Sequence, residues 1–326
     1  MVIARSPLRI TLGGGGSDLP SYYREHGGLV ISAAIDKYVF VTVTRPFVTG
    51  IFLKYSKLEQ VGRCADVQHP IIRETLQMLD FETPQIEITT LADIPAGTGL
   101  GSSGSFTTAL LKALHTHRRQ HLQADELAKM ACEIEIERLK EPVGKQDQYI
   151  AAFGGLTCFR FLPDEQVQVA PLRIGVETLH DLEDNLLLFF TGFARSASAV
   201  LRDQVTRTET SDKTMVQNLH CVRELGLMSK KTLEAGKTAD FGELLHEQWE
   251  NKKRRSAGMS NSQINEWYEL GRQNGAVGGK LVGAGGGGFL LFYAEDRNRL
   301  RSAMNKAGLE EVRFHFDFEG TKTLLA

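Results

Sequence analysis

The sequence predicts an α+β chain of two domains, and three observations carry the prediction. Its 326 residues exceed the ~100–200 of an ordinary domain. Strand-like and helix-like segments are interspersed, without the regular alternation that a doubly wound parallel sheet requires. Composition also shifts along the chain, because residues 195–275 are polar, charge-rich and helical in pattern with almost no strand signal. The boundary is placed before an apolar run, giving domains 1–182 and 183–326.

Each element follows from local pattern. Residues 2–12 alternate and are rich in β-branched side chains, which predicts a strand ending at a glycine run. VISAAIDKYVFVTV reads as two strands, 29–35 and 38–43, turning at Asp36-Lys37. Residues 71–79 fit a helix and 85–91 an alternating strand. Ser105–His117 is strongly helical, and a further helix runs from Asp125, read as its N-cap, to about Leu139. Residues 147–153 suit a short helix, 154–162 and 166–172 strands, and NLLLFFT at 185–191 a buried strand. Two more strand-like segments lie at 289–293 and 311–317.

Composition excludes several classes of function. Net charge of −2 gives no electrostatic reason to expect a nucleic acid or an anionic membrane surface as partner. No run approaches the ~18 apolar residues of a membrane span, and the N-terminus lacks a signal-peptide pattern. The four scattered cysteines read as reduced thiols of a cytoplasmic protein. A monomer or homodimer acting on small molecules is the expectation.

Glycine is the informative surplus. The chain has 32, against roughly 23 at average usage, and 13 of them fall in three runs: 13–16, 97–104 and 283–288. In the middle run, PAGTGLGSSGSFTTALLKAL, a glycine-rich turn feeds a helix N-terminus, where free N–H groups and the helix dipole suit a phosphate. Gly99-x-Gly101-x-x-Gly104 satisfies a dinucleotide fingerprint formally, but a helix follows where that reading needs a second strand. A Walker loop fails too, since 275–280 is one residue short and Leu281 replaces the needed hydroxyl.

What does fit is a third arrangement. The segment 95–105 resembles the phosphate loop of the GHMP kinases, the family of galactokinase, homoserine kinase and mevalonate kinase. SPLRITLGGGGSD (6–18) aligns without gaps on that family's first motif, and KLVGAGGGGFLLF (280–292) resembles its third. The resemblance implies a two-domain fold with ATP and sugar bound in the cleft between the domains. It implies ATP held by Pro95, Gly97, Gly99, Leu100, Gly101, Ser102, Ser103, Gly104 and Ser105, with Mg²⁺ on Ser103 and Glu135. Glu135 precedes Asp147 by twelve residues, the family spacing between the metal carboxylate and the catalytic aspartate. Glu133 and Glu137 point about 200° away on a helix and read as solvent-facing.

The resemblance further gives Asp147 the task of accepting the acceptor's proton, and Arg9 that of stabilising charge on the transferring group. Gly15, Gly16, Ser17 and Asp18 would face the sugar, with Thr191, Arg195, Gly285 and Gly286 completing that side. Galactokinases carry Glu-His where this chain has Gly15-Gly16, so room opens for a bulkier, phosphate-bearing sugar. Arg195 offers a fork suited to a phosphate, whereas the basic run 252–255 reads more readily as a solvated helix face. TGFARSAS, HEQWENKK and GGKLVGAGGGGFLL resemble the branch acting on heptose 7-phosphates, and fucokinases share much of the pattern.

Overall fold

The computed structural model describes residues 1–81, 85–192, 197–256 and 258–326, and for 197–199 the backbone alone. The first half builds β1 (Val2–Gly13), α1 (Pro20–His26), β2 (Gly28–Thr44), β3 (Gly50–Lys54), β4 (Leu58–Val61) and α2 (Pro70–Met78). It continues with β5 (Gln85–Ala92), α3 (Ser102–His117), α4 (Ala124–Cys132), α5 (Gln146–Phe153), β6 (Leu156–Phe161) and β7 (Val167–Pro171). Then come α6 (Val176–Asn185), β8 (Leu186–Phe190), α7 (Ala197–Glu209), α8 (Lys213–Glu234) and α9 (Thr238–Lys253). The chain ends with α10 (Ser262–Gln273), β9 (Ala276–Leu281), β10 (Phe289–Ala294), α11 (Arg297–Lys306), β11 (Glu310–Glu311) and β12 (Lys322–Leu325).

One sheet runs β12-β1-β2-β5-β3-β4, with β6 paired to the other part of β2 and β7 to β6. Its strands send side chains to two cores, and the register shift at Pro7/Leu8 of β1 separates the residues given to each. Val2, Ala4, Val30 and Ala34 join the helices α2–α5 on one face. Leu8, Ile10, Ile31 and Ile35 point the other way, into a core shared with Leu186, Leu188, Phe241 and Leu291 of the second half. The second sheet, β11-β8-β10-β9, is closed on its far side by Trp249, Tyr268 and Leu300. Because β10 is covered on both faces, it is a continuous apolar run rather than an alternating one.

Three expectations are corrected. The hairpin at Asp36-Lys37 is absent, and β2 is a single strand of 17 residues. Leu8 pairs with Ile35 and Pro7 with Tyr38, so Asp36 and Lys37 form a bulge facing no partner on β1. Asp36 and Lys37 keep to extended backbone rather than the positive φ of a two-residue hairpin turn, and neither is followed by the glycine such turns favour. The N-cap of α4 is Gln123, not Asp125, which instead pairs with Lys129 one turn on (2.6 Å). Of residues 311–317 only the start is strand. The rest crosses between sheets, Val312 donating to Leu188 O (2.8 Å) and Asp317 to Ala34 O (2.9 Å).

Residue 182 lies within α6, which packs on β8, β10 and α9, whereas β12 returns to the first sheet beside β1. The α helices expected across 195–275 are α7–α10. All four cysteines are free thiols. Among the described residues no helix is long and apolar enough to cross a membrane.

Candidate functional site

A cleft of about 720 Å³ opens between the two halves, walled by all three glycine runs. Part of its wall is apolar, with Val39, Tyr55, Ile71, Leu91, Ile94 and Phe106 along it. The second run reaches α3 through positive φ at Gly97 (79°), Gly99 (87°) and Gly101 (77°), a left-handed path that only glycine takes cheaply. Gly101 is the N-cap, with no side chain over the helix end, so the first amides of α3 stay open to an anion. Ser102 and Ser103 line the cleft there. Leu100 is buried and its carbonyl accepts from Arg9 N, while Ser105 Oγ donates to Pro7 O (2.6 Å), so both hold the loop to β1.

At the mouth of this loop stands an ion pair. Arg9 presents its fork to Asp147, Nε to Oδ1 at 2.8 Å and Nη2 to Oδ2 at 3.0 Å, and Nη1 donates to the Gly99 carbonyl. Bidentate geometry fixes the carboxylate as well as pairing its charge. Asp147 sits in the first turn of α5. Gln146, unremarked in the sequence, orders the surroundings: its Oε1 accepts from Thr11 (2.8 Å) and Ser32 (2.9 Å), its Nε2 donates to Asp147 (3.1 Å), and its N–H donates to Asp18 (3.1 Å). Asp18 is buried, and burial followed by the charge of Asp147 pushes its carboxyl above the ordinary range.

Glu135 lies one layer behind the loop. Its segment, Glu133–Arg138, continues α4 as a π-helix turn, which turns Glu135 inward while Glu133 and Glu137 stay half exposed. Gln148 donates to it (3.1 Å), Ser103 and Thr107 stand beside it, and burial pushes its carboxyl up to about 7. No cationic side chain pairs with it among the described residues, and the neighbouring Gln148 Oε1 is buried without a partner. A hydroxyl, a buried carboxylate and an unpartnered amide oxygen beside a phosphate loop are hard oxygen donors of the kind Mg²⁺ takes together with phosphate. No cluster of three or more His, Cys, Asp or Glu side chains is present among the described residues, so such an ion would depend on the nucleotide for its other ligands.

The sugar-side wall differs from the expectation. Lys252 and Arg255 are not on a solvated face: both line the cleft, and Arg254 alone of that run is turned fully outward. Lys252 donates to the carbonyls of Leu281 and Gly283, and burial holds its ammonium well below the ordinary lysine value. Lys280, missed as a site residue although it opens the third motif, donates to Gln248 (2.6 Å) and is pushed down to about 7 by burial and by Arg255. Arg255 donates from Nε to Asn218 (3.0 Å) and is pushed down to about 10 by burial.

The remaining candidates are placed as follows. Gly15 and Gly16 line the cleft, while Ser17 is buried behind them, donating to Gly14 O (2.8 Å) and Leu29 O (2.9 Å). Gly285 lines it, and the Gly286 N–H donates to Met259 O (3.0 Å). Gly104 packs against the backbone of Asp147, and Pro95 accepts from Thr98 (2.9 Å). Thr191 is buried beneath the third loop, donating to Gly288 O (2.9 Å), and does not line the cleft. Arg195 lies outside the described residues.

Open helix amides, a fixed carboxylate and a two-walled cleft answer the needs of phosphoryl transfer, which depends on positioning and charge neutralisation more than on covalent participation. Comparison with known proteins agrees. Residues 67–155 match the GHMP kinases N terminal domain and 229–309 the GHMP kinases C terminal domain. Over 98% of its length the chain is 29% identical to the D-glycero-alpha-D-manno-heptose 7-phosphate kinase of Campylobacter jejuni, covering 97% of that protein. It is 26% identical to the L-fucokinase/L-fucose-1-P guanylyltransferase of Bacteroides fragilis, across 91% of this chain and 35% of that one. A solved D-glycero-D-manno-heptose 1-phosphate kinase from Bacteroides thetaiotaomicron superposes with a TM-score of 0.82, at 27% identity, covering 100% of this chain and 99% of that one. The chain belongs to the GHMP kinase family and is an ATP-dependent kinase.

Proposed function

We propose that the protein transfers the γ-phosphoryl group of ATP to the anomeric hydroxyl of D-glycero-D-manno-heptose 7-phosphate. The product is the 1,7-bisphosphate, a precursor of nucleotide-activated heptose for surface polysaccharide. The observation that carries the transfer chemistry is the Arg9–Asp147 fork at the mouth of the glycine loop. It sets a carboxylate where an acceptor hydroxyl and a loop-bound phosphate would meet. Asp147 accepts the hydroxyl proton as its oxygen attacks phosphorus, ADP leaves, and Arg9 stabilises the charge of the transferring group. Asp18, with Gly15 and Gly16, faces the sugar. Ser103 and Glu135 would hold Mg²⁺, which when bound neutralises phosphate charge. The choice of heptose rests on the end-to-end likeness to the Campylobacter kinase.

A neutral-sugar kinase is the second reading, favoured by the likeness to fucokinases. An ADP-release assay across heptose 7-phosphate, sedoheptulose 7-phosphate, mannose, fucose and galactose separates the two, with Asp147→Asn as control. Heptose 7-phosphate is expected to give the highest kcat/KM, and the variant to lose about 10²–10⁴ in turnover while still binding ATP. Far better turnover of fucose or galactose excludes the heptose reading, and a near-normal rate in the variant removes Asp147 from the chemistry.

A further inference from the structure

We infer that Arg255 and Lys280, with Lys252 beside them, form a phosphomonoester subsite at the sugar end of the cleft, holding a phosphate that the acceptor carries and that is not transferred. The inference rests on the reading of the acceptor as a phosphorylated sugar, and it assigns that phosphate its residues.

The first support is an imbalance of charge. Three basic side chains face one cleft, Arg255 and Lys280 buried and Lys252 half-buried, and among the described residues no carboxylate lies within ion-pair distance of any of them. Arg9, on the same cleft, has Asp147. Burying a charge without a counter-charge is costly, so such a group marks a place where an anion arrives from outside. Lys252 and Arg255 do lie at the C-terminal end of α9, where helix carbonyls favour cations, but that effect reaches only the last turn. It leaves Lys280, on a strand, unexplained.

The second support is geometry. Asn218 Oδ1 holds Arg255 Nε at 3.0 Å, and Asn218 is itself fixed by Asn251 through contacts of 2.8 and 3.0 Å. The outer nitrogens are left underused: Nη1 has contacts of 3.4 Å with Gly15 O and Gln204 Oε1, and Nη2 makes no hydrogen bond among the described residues. A guanidinium pinned by Nε with its fork free is preorganised for two phosphate oxygens, and an ammonium alongside adds a third donor.

The third support is the first glycine run. A Cβ on Gly16, whose φ is +104°, would stand 2.6 Å from Arg255 Nη1 and 3.0 Å from Gln204 Nε2. The volume vacated by a side chain at position 16 is therefore where the guanidinium sits. Glycine there admits the arginine, and the arginine in turn recognises the phosphate. Arg255 touches Gly15 and Gln204 rather than the loop at 97–105, which separates this subsite from the nucleotide phosphates.

The competing role for these cations is to neutralise the transferring phosphoryl group, and steady-state kinetics of Arg255→Met with Mg²⁺-ATP distinguish the two. For heptose 7-phosphate, KM should rise roughly 10- to 100-fold with kcat changed less than about threefold, while KM for ATP and for unphosphorylated heptose stay within about twofold. R255K, which keeps charge but loses the fork, should fall between. An equal loss with both sugars, carried by kcat, overturns the proposal. A second arm is independent of sugar identity. With ADP saturating, inorganic phosphate should raise the melting temperature of the wild type and not of Arg255→Met, and an equal rise in both refutes the subsite. If the wild type prefers fucose or galactose, the proposed function fails, while the phosphate arm still decides the subsite.

Discussion

Lys280 donates to the neutral Gln248, and the charged groups facing it are Arg255, Arg9 and Lys252, all cationic. Its ammonium is pushed down to about 7 in the folded protein, against 10.5 ordinarily. A depressed value means the unfolded chain binds the proton more tightly. Stability present above the ordinary value is therefore lost as pH falls through the folded one. The ligand-free enzyme should thus lose stability from about pH 10 down to about pH 7. Lys280→Met should show a visibly shallower decline, with Lys252 contributing the remainder through the same sign. Urea midpoints at pH 9.5 and pH 7 measure the slope, and an identical slope in the variant removes Lys280 as its source. Asp147 and Glu135 could be proposed from the sequence because their twelve-residue spacing is what the family resemblance supplies. Lys280, Arg255 and Gln248 carried no comparable local sign, since a lysine in a strand or a basic run at a helix end is ordinarily solvated.

The α3–α5 contact shows how two helices tune one carboxylate. Gly104, in the first turn of α3, faces the start of α5, and a Cβ there would lie 2.9 Å from both the carbonyl carbon and the Cβ of Asp147. Alanine improves helix propensity by about 1 kcal/mol, but here the neighbouring backbone must move to admit it. Gly104→Ala should therefore displace Asp147 from Arg9 and lower kcat roughly 10- to 100-fold in steady-state kinetics. Unaltered turnover would mean that α5 yields without moving the carboxylate. Helices were legible from periodicity, and α2, α3 and α5 lie close to where pattern placed them. The hairpin was not, because 29–35 and 38–43 each look like a strand whether the chain between them turns or bulges. The partner strand β1 settles that, offering a single continuous edge to both halves.

The two halves of the chain are interleaved rather than joined end to end. After the second sheet the backbone crosses back, and β12 adds an edge to β1 through Ile3, Ala4 and Arg5. Thr321 beside it is buried, its hydroxyl within 2.8 Å of Ser6 Oγ and of Ala151 O. Deleting residues 321–326 removes these bonds and exposes the edge, and should cost roughly 2–4 kcal/mol by urea unfolding. A midpoint like that of the full chain would show β12 to be energetically idle. The shared core makes the same point, because Leu8 and Ile31 pack with Phe241 and Leu291.

Glycine runs, helical periodicity and the spacing of Glu135 and Asp147 are local properties of the chain. From them alone follow the family, the α+β class and the loop proposed to face ATP, because close approach of backbone to phosphate leaves glycine little competition. Which cations are stripped of water, where β2 fails to turn and how β12 closes the first sheet depend on groups distant in sequence. Desolvation and strand pairing are set by what stands opposite in space, and that is why the cationic wall behind Gly16 emerges only from the folded chain.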